Sequence, residues 1–309
     1  MKEITIICNP TAGAGQAQKR WEKFKVELDD ASIKYKVLFT ESPNHATELT
    51  LIAIQNGATR IVSFGGDGTL NEVIQGMVSP TPGFVGNLEL VVLGAGSSND
   101  FEKTFKAIPW IEKIQGGKKV PIDLVRADFY DFEGNPATRF FANNSSIGLV
   151  SQAGKQFNDA KGIARMIKKM SVDTTALIVG IQTLIKWNPM DVNLIVEGET
   201  KTNSTLINIT VYKNPYVAGS MNYNKCVDKG DGKLSVALIN GVSKIKLLGL
   251  IPALYNGTVL DKDGTEYFEC EWLELQTDHN VAVEMDGEIV GRPPARYTVL
   301  KHAIHTVVG

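Results

Sequence analysis

The sequence predicts a two-part protein: an amino-terminal doubly wound parallel α/β domain followed by a carboxy-terminal antiparallel β-sandwich domain. The length of 309 residues favours about two domains at roughly 150 residues each. The first 105 residues alternate short β-branched runs with helical patterns, which is typical of parallel strands joined by right-handed crossovers. Beyond residue 120, strand-like runs are mostly separated by turn residues, which is typical of antiparallel strands.

The amino-terminal elements follow one another in strict alternation. Ile4–Cys8 predicts a strand, and the following apolar residues recur at steps of four and three, the spacing of one helix face. These residues are Ala17, Trp21, Phe24, Leu28 and Ala31. The later elements are strand Tyr35–Phe39, helix Ala46–Asn56, strand Arg60–Phe64, helix Leu70–Met77 and strand Glu89–Leu93. Functional loops are expected at the carboxyl ends of these strands.

The carboxy-terminal part reads as strands interrupted by two helical stretches. The predicted strands are Ile122–Phe129, Arg139–Ser146, Val192–Val196, Asn208–Tyr212, Leu234–Ile239, Trp272–Leu275, Val281–Glu284 and Tyr297–Leu300. The helical stretches are Ile163–Trp187 and Ser243–Tyr255. Lys161–Trp187 mixes apolar with basic residues, which indicates either an amphipathic surface meeting anionic lipid or a buried helix pair.

Composition excludes several classes of protein. Lys and Arg number 32 against 34 Asp and Glu, a formal net charge of −2, so no basic field attracts nucleic acid. Three cysteines without a C-x-x-C pair disfavour a disulfide framework or a zinc ribbon and favour a reducing cytoplasm. We find neither a signal peptide nor an apolar run approaching the roughly 18 residues of a membrane span, and therefore expect a cytoplasmic protein.

The strongest motif is Gly65-Gly66-Asp67-Gly68-Thr69-Leu70-Asn71-Glu72, which leads from a strand into a helix. Glycines at a helix N-terminus let several backbone N–H groups converge without Cβ atoms in the way, which favours phosphate binding. Asp67 lies within this cradle and can reach a Mg²⁺ that bridges phosphate oxygens. The alternative is a glycine-rich turn with a capping aspartate.

Two further glycine loops are expected at the same edge of the sheet. One covers residues 9–15, beginning at Asn9, after the first strand, and the other covers residues 94–101 after the fourth. Thr40 adds a hydroxyl after the second strand. The motifs of P-loop enzymes, Rossmann dehydrogenases and protein kinases are missing from the sequence, so phosphate binding must come from these loops.

Five segments together carry a resemblance to a known family. They are Asn-Pro-Thr-Ala-Gly (9–13), Gly-Gly-Asp-Gly-Thr-Leu-Asn-Glu (65–72), Gly-Ser-Ser-Asn-Asp-Phe (96–101), Asp-Gly-Lys-Leu (231–234) and Asp-Gly-Glu (286–288). In this order the chain resembles the diacylglycerol kinase catalytic-domain family, which includes bacterial lipid kinases and sphingosine kinases. The resemblance covers essentially the whole chain and implies a fold like that of diacylglycerol and NAD kinases.

The resemblance implies an ATP- and Mg²⁺-dependent kinase that phosphorylates a hydroxyl of diacylglycerol or a related lipid. Glu288 would accept the hydroxyl proton, and Asp67 would organise the catalytic Mg²⁺, aided through water by Asp123. A structural Mg²⁺ would bind the Asp231 carboxylate and the backbone carbonyls of Asp228 and Lys233. The residues that would contact ATP are Asn9, Thr40, Gly65, Gly66, Asp67, Gly68, Thr69, Leu70, Asn71 and Ser97.

The sequence departs from the family at two loop positions. Ala14 stands where a lysine often follows the glycine of the first loop, so that phosphate contact is lost or supplied by Lys19 or Arg20. Ser97 replaces the usual threonine and keeps its hydroxyl, and Ala95 stands near the position of a missing proline.

The expected domains are residues 1–122 with about 292–309, which bind the nucleotide, and residues 123–291, which bind the lipid. The partners would be ATP, a lipid with a free hydroxyl and, transiently, a membrane surface, with no nucleic acid. The sequence leaves open whether the protein forms a homodimer. The alternatives are an NAD kinase, which shares the Gly-Gly-Asp-Gly-Thr core, and a catalytically silent lipid-binding protein on the same scaffold.

Overall fold

A computed structural model of the chain describes residues 4–78, 88–164, 180 and 182–308, with the backbone alone for 157–164. Strands and helices alternate in its amino-terminal part, as predicted. The elements are β1 (Ile4–Cys8), α1 (Gln16–Asp30), β2 (Tyr35–Phe39), α2 (His45–Gln55), β3 (Arg60–Gly65), α3 (Asp67–Met77) and β4 (Glu89–Gly94).

These four strands pair in parallel in the order β2-β1-β3-β4. Side chains alternate between the two faces of the sheet, so Ile61 packs with α2 and α3, whereas its neighbour Val62 packs with α1. Phe64 lies on the α1 face, where its ring contacts those of Trp21 and Phe24 at centroid distances of 5.7 and 6.0 Å. Helices therefore cover both faces of the sheet.

A short connection that the sequence did not predict follows β4. It contains a 3₁₀ turn (Phe101–Thr104) and the helix α4 (Trp110–Gly116). Such short elements leave little periodicity to detect. The Trp110 ring meets Phe24 and Phe64 edge-on at 5.5 and 5.2 Å, so tertiary packing holds α4 against the α1 face.

The carboxy-terminal part is built from antiparallel strands. Its first elements are β5 (Lys118–Tyr130), β6 (Pro136–Phe141), β7 (Asn144–Gly148), α5 (Leu149–Ala164), β8 (Met190–Val196), β9 (Glu199–Tyr212), β10 (Tyr216–Val217) and β11 (Met221–Asn222). The later ones are β12 (Leu234–Asn240), α6 (Lys244–Tyr255), a 3₁₀ turn (Val259–Asp261), β13 (Thr265–Cys270), β14 (Trp272–Gln276), β15 (Val283–Met285) and β16 (Glu288–Val308). Many of their apolar side chains form a large cluster that includes Phe141, Val211 and Leu273, and others, including those of α6, form a second cluster around Tyr212.

The last strand connects the two parts of the molecule. Near its start β16 pairs with β15 and β14, and along most of its length it pairs antiparallel with β5. Near its end His305 and Thr306 pair in parallel with Glu89 and Leu90 of β4. The chain therefore returns to the amino-terminal sheet, and a single hydrogen-bonded sheet passes through both parts.

Several predicted boundaries in the carboxy-terminal part were wrong: for example, the strand predicted at Asn208–Tyr212 begins at Glu199, and the strand predicted at Tyr297–Leu300 spans Glu288–Val308. The predicted strand Arg139–Ser146 is interrupted between β6 and β7, and α5 begins at Leu149, well before the expected start at Ile163. The Ser151 hydroxyl accepts a hydrogen bond from the Gly148 amide at 3.1 Å, and this contact closes the first turn of α5. Residues 165–179 and 181 of the predicted stretch Ile163–Trp187 lie outside the described residues.

The predicted helix Ser243–Tyr255 is observed as α6, with Ser243 as its N-cap. Leu247 and Leu250 of α6 are buried, whereas Ile245 is 83% exposed. Among the residues that the structure describes, no helix is both long and apolar enough to cross a membrane.

Candidate active site

Three glycine loops meet at the carboxyl ends of β1, β3 and β4. A Cβ atom on Gly96 would lie 2.4 Å from the Cα of Gly66, and one on Gly13 would lie 2.9 Å from the carbonyl oxygen of Ala95. Gly13 also has a φ of +59°, a left-handed conformation that glycine adopts without strain. These backbones can approach so closely only because the side chains are missing. The three loops therefore form one continuous surface.

The first turn of α3 lies at the centre of this surface. A Cβ on Gly65 would lie 2.4 Å from the Thr69 hydroxyl, and Asn9 Nδ2 donates to that hydroxyl at 3.1 Å. The β1 and β3 loops are thus bonded to each other across the sheet edge. Thr40 follows β2 on the same edge, where its amide donates to the carbonyl of Cys8, and Ser97 is exposed in the β4 loop.

Asp67 starts α3 and also binds the loop that follows β4. Its Oδ2 accepts the amide N–H of Asp100 at 3.0 Å, and its Oδ1 accepts that of Phe101 at 3.2 Å. Asn143, from the junction of β6 and β7, donates to Oδ1 at 3.4 Å. Burial raises the pKa of the Asp67 carboxyl, while the two backbone N–H groups oppose this rise. The aspartate is therefore held by groups from both parts of the chain.

The Asn71 side chain crosses from α3 to the carboxy-terminal part. Its Nδ2 donates to Asp286 Oδ2 at 2.9 Å and to the Phe140 carbonyl at 3.1 Å. Asp286 Oδ1 in turn accepts the Asn144 amide at 3.1 Å. These contacts bring the Asp286-Gly287-Glu288 turn to the end of the sheet where the glycine loops lie.

Two carboxyl groups of this turn region have strongly raised pKa values. Burial, and to a lesser extent the charges of Asp67 and Glu288, raise the pKa of Asp286 to about 7, while its hydrogen bonds oppose the rise. Burial likewise raises the pKa of Glu284 to about 8. Glu284 Oε1 accepts the Gly287 amide at 2.6 Å, whereas its buried Oε2 has no hydrogen-bond partner among the residues that the structure describes. Several carboxyl groups are thus concentrated in a small volume.

Glu288 is half-exposed at the start of β16 and forms an ion pair with Arg139. The distance from Arg139 Nη1 to Glu288 Oε2 is 3.0 Å. Arg139 also borders an open cleft of about 390 Å³ together with Asn44, Thr47, Glu48, Gln75, Thr138 and Phe140. The guanidinium fixes one oxygen of the glutamate and leaves the other available.

Glu72, the last residue of the glycine motif, has a structural role. Its carboxylate accepts the amide N–H groups of Asn44 and Ala46 at 2.9 and 3.0 Å, so it caps the N-terminus of α2. One turn further along α3, the Gln75 amide pairs with both backbone groups of Phe140. Successive residues of α3 thus bind α2 and β6.

The three groups expected to hold a structural Mg²⁺ meet around a lysine. The Nζ of Lys213 donates to Asp231 Oδ1 at 2.9 Å and to the carbonyls of Asp228 and Lys233 at 2.6 and 2.9 Å. Because this ammonium fills the point at which the oxygens converge, the arrangement does not fit Mg²⁺. The described residues contain no group of three or more His, Cys, Asp or Glu side chains arranged to hold a metal.

Asp123 also belongs to the cluster around Lys213. Its Oδ2 accepts from Lys213 Nζ at 2.9 Å and from the Gly232 amide at 2.8 Å, and its Oδ1 accepts from the His302 amide at 2.8 Å. These contacts differ from the water-mediated role beside Asp67 that the resemblance implies, because both oxygens already have protein donors.

The structure also shows where the two basic residues near the first loop lie. Ala14 has a φ of +54°, and Lys19 is exposed. Arg20 Nη1 donates to the carbonyl of Gly94 at 3.1 Å. Arg20 thus supports the end of β4.

The sequence did not predict several residues of the site, chiefly Arg139, Asn143, Asn214, Glu284 and Lys213. Asn143 and Asn214 are bonded to each other at 2.7 Å. Adjacent asparagines just after a strand were the available signal for Asn143. Lys213 directly follows an apolar strand, and nothing in its local sequence indicates a buried position.

Comparisons with known proteins indicate the family of this chain. The family model described as "Diacylglycerol kinase catalytic domain" matches residues 3–127. The one described as "YegS C-terminal NAD kinase beta sandwich-like domain" matches residues 152–308. The protein YtlR of Bacillus subtilis (strain 168) is 24% identical over 304 residues, covering 96% of each chain. A protein named diacylglycerol kinase from the same strain is 22% identical over 325 residues, covering 100% of this chain and 97% of its own.

Solved structures show the same fold. A diacylglycerol kinase from Bacillus anthracis str. Sterne aligns with a TM-score of 0.69 at 17% identity, covering 100% of this chain and 97% of its own. Yeast NADH kinase complexed with NADH aligns with a TM-score of 0.54 at 11% identity, covering 99% and 83%. With both family models matched in order along the chain, this protein belongs to the diacylglycerol kinase catalytic-domain family of lipid kinases.

Proposed function

We propose that this kinase transfers the γ-phosphate of ATP to the free hydroxyl of diacylglycerol or a related lipid. One observation carries the proposal: the glycine surface around Asp67 and the Asp286-Gly287-Glu288 turn are joined directly by the hydrogen bond from Asn71 to Asp286. A phosphate-binding surface and a carboxylate cluster therefore lie side by side. Phosphoryl transfer to an alcohol needs both.

The nucleotide phosphates would lie against the three glycine loops. The N-terminus of α3 supplies the positive end of the helix dipole and unpaired N–H groups. The contacts proposed for ATP are those of Asn9, Thr40, Ser97 and residues 65–71. Asp67 fits a magnesium ion that enters with ATP, because within the described part of the chain its Oδ2 accepts one N–H group and keeps a lone pair. Bound there, Mg²⁺ would neutralise charge that develops on the phosphates.

Glu288 is the proposed base of the reaction. The lipid hydroxyl oxygen forms a bond to the γ-phosphorus while the bond from that phosphorus to the bridging oxygen breaks. The hydroxyl proton passes to Glu288, and ADP leaves with the bond electrons. Arg139 is a positioning residue, because it holds one Glu288 oxygen at 3.0 Å. Asp286 interacts electrostatically with both Glu288 and Asp67, since the negative charge of each raises the pKa of the Asp286 carboxyl.

We also propose the domain division that the sequence suggested. Residues 1–122 with about 292–309 would form the nucleotide domain, and residues 123–291 would form the lipid domain. A doubly wound amino-terminal sheet is supported by its parallel pairing and by helices on both faces. Transient contact with a membrane surface would deliver the lipid.

The decisive experiment incubates the purified protein with γ-labelled ATP, Mg²⁺ and a panel of lipids in mixed micelles, with NAD in a parallel reaction. We expect label in a lipid monophosphate. Label in NADP would instead establish an NAD kinase, and no label in any product would favour a silent lipid-binding protein. Glu133→Gln is a matched control for Glu288→Gln, because Glu133 is an exposed turn residue.

A further inference from the structure

Lys213 places a positive charge in an oxygen shell that is otherwise typical of a metal ion. The residue follows β9, and its side chain is 1% exposed. Its Nζ lies within 2.6–2.9 Å of four oxygens, two from carboxylates and two from backbone carbonyls. Hard divalent cations prefer carboxylate and carbonyl oxygens of this kind.

The ammonium and a metal ion exclude each other at this point. Three of the four oxygens are the ones that the resemblance assigns to a structural Mg²⁺, namely those of Asp228, Asp231 and Lys233. Mg²⁺ would require these oxygens at about 2.0–2.1 Å from a common centre, and Lys213 Nζ already lies there. Two like charges cannot share the position.

One positive charge is sufficient because backbone donors assist it. The carboxylates of Asp123 and Asp231 carry two negative charges, and they also accept the amide N–H groups of Gly232, Lys233 and His302 at 2.8–2.9 Å. Each carboxylate therefore has backbone donors in addition to the ammonium.

The cluster joins separate parts of the chain and leads to the candidate active site. Asp123 lies in β5, Asp231 in the turn before β12, and His302 in β16 where its register with β5 shifts. The backbone amide of Lys213 donates to the carbonyl of Asn143 at 2.9 Å, and Asn143 donates to Asp67. Loss of the cation would therefore loosen the support of Asp67.

We propose that Lys213 is a built-in cation that replaces a structural divalent metal in this protein. The turn at 228–233 is then held without Mg²⁺, and any metal requirement is limited to the nucleotide. This inference does not rest on the proposed reaction, because it is tested by the melting temperature and the metal content of the protein without nucleotide.

The first test compares melting temperatures without nucleotide, in EDTA and in Mg²⁺ at matched ionic strength. We expect the same melting temperature for the wild type in both buffers, and substoichiometric metal by elemental analysis. Dependence of wild-type melting on Mg²⁺, or one tightly bound divalent ion per chain, would overturn the proposal.

The second test removes the ammonium with Lys213→Ala, which also opens space for an ion. In EDTA we expect the melting temperature to fall by about 5–10 °C, because the buried carboxylate of Asp123 and the partly exposed carboxylate of Asp231 lose their partner. Mn²⁺ should restore part of this loss and give an electron paramagnetic resonance signal of bound ion. A variant as stable as the wild type, or one that Mn²⁺ leaves unchanged, would contradict the replacement.

Lys233→Met is the matched control. It removes a lysine charge from the same turn, but at a half-exposed side chain paired with Glu269, and it keeps the backbone carbonyl that Lys213 contacts. We expect little change in melting temperature and no response to Mn²⁺. If Lys213→Ala does not fold, the wild-type melting and metal content still decide the question.

Discussion

At the scale of single residues, Asp67 combines a structural role with the proposed catalytic one. Its carboxylate accepts the amides of Asp100 and Phe101 and an amide hydrogen of Asn143. The sequence identified this aspartate from its glycine neighbours, but it did not indicate that the same group holds the 3₁₀ turn. Substitution therefore affects stability as well as activity, and both must be measured.

Asp67→Asn should lower phosphoryl transfer by at least about 100-fold, because the charge at the phosphates is lost. It should also lower the melting temperature, because the amide group presents N–H donors where N–H groups already point. The measurements are steady-state kinetics with the active lipid and thermal melting. Asp263→Asn, at a side chain 95% exposed, is the control. Wild-type turnover in Asp67→Asn would remove Asp67 from the reaction.

Glu288→Gln should reduce kcat by about 10²–10⁴-fold, the usual contribution of a general base. The KM for ATP should stay nearly constant, because the glycine loops lie in the other part of the chain. Arg139→Gln should lower kcat less than Glu288→Gln does and change the pH profile. A collapse of ATP affinity in Glu288→Gln would instead indicate a role in binding the nucleotide.

Glu284 should make the folded state less stable as pH rises. Its pKa is about 8 when folded and about 4.3 when unfolded, so between these values the folded state retains a proton that the unfolded state releases. Stability then decreases with pH across this window. Glu284→Gln removes this titratable group. The melting temperature of the variant, measured relative to that of the wild type, should therefore increase as the pH rises from about 5 to about 8. A difference independent of pH would show that Glu284 is ionised when folded.

At the scale of elements, the end of the parallel sheet depends on close contact between backbones. The β3 and β4 loops touch at Gly66 and Gly96, and α3 begins where they meet. The helix then carries Asn71 and Gln75 to the carboxy-terminal part. The position of α3 therefore determines both the shape of the proposed phosphate surface and its distance from the carboxylates.

Gly96→Ala should weaken ATP binding at least about tenfold, because its Cβ would lie 2.4 Å from Gly66 Cα and the loops must separate. Gly249→Ala is the matched control, since no atom of the described residues lies within 4 Å of its added Cβ and alanine favours a helix by about 1 kcal/mol. Binding of a fluorescent ATP analogue and thermal melting would distinguish the two. Unchanged affinity in Gly96→Ala would mean that the contact is not needed for binding.

At the scale of the whole molecule, β16 makes the two parts interdependent. It pairs with β14, β15 and β5 and then with β4 of the amino-terminal sheet. Ile304 and Val307 of this strand are buried in the two cores on either face of that sheet. Neither part has a complete sheet without it.

Deletion of residues 303–308 should therefore disrupt the amino-terminal sheet as well as β5. The lost strand leaves edges of β4 and β5 without hydrogen-bond partners and uncovers apolar side chains. We expect aggregation or a broad, shifted melting transition by circular dichroism. Retention of a sharp transition at the wild-type temperature would show that the amino-terminal part folds independently of β16.

Local pattern was sufficient to predict most elements of the fold. The apolar periodicity located β1, α1, β2, α2, β3, α3 and β4, because each element buries one face or both. The glycine motif indicated the proposed phosphate surface, because a helix N-terminus without side chains around it favours anion binding. The order of motifs along the chain then indicated the family.

Only the tertiary structure decided which distant residues meet. Arg139 lies 149 residues along the chain from Glu288, and Asn143 lies 76 residues from Asp67. Lys213 lies up to 90 residues from the oxygens of its shell. Local sequence carries no signal for such pairs, because a buried lysine and an exposed one look alike until the strands around them are paired. The sequence by itself determined the chemistry of the individual groups, and strand pairing across the whole chain determined their partners.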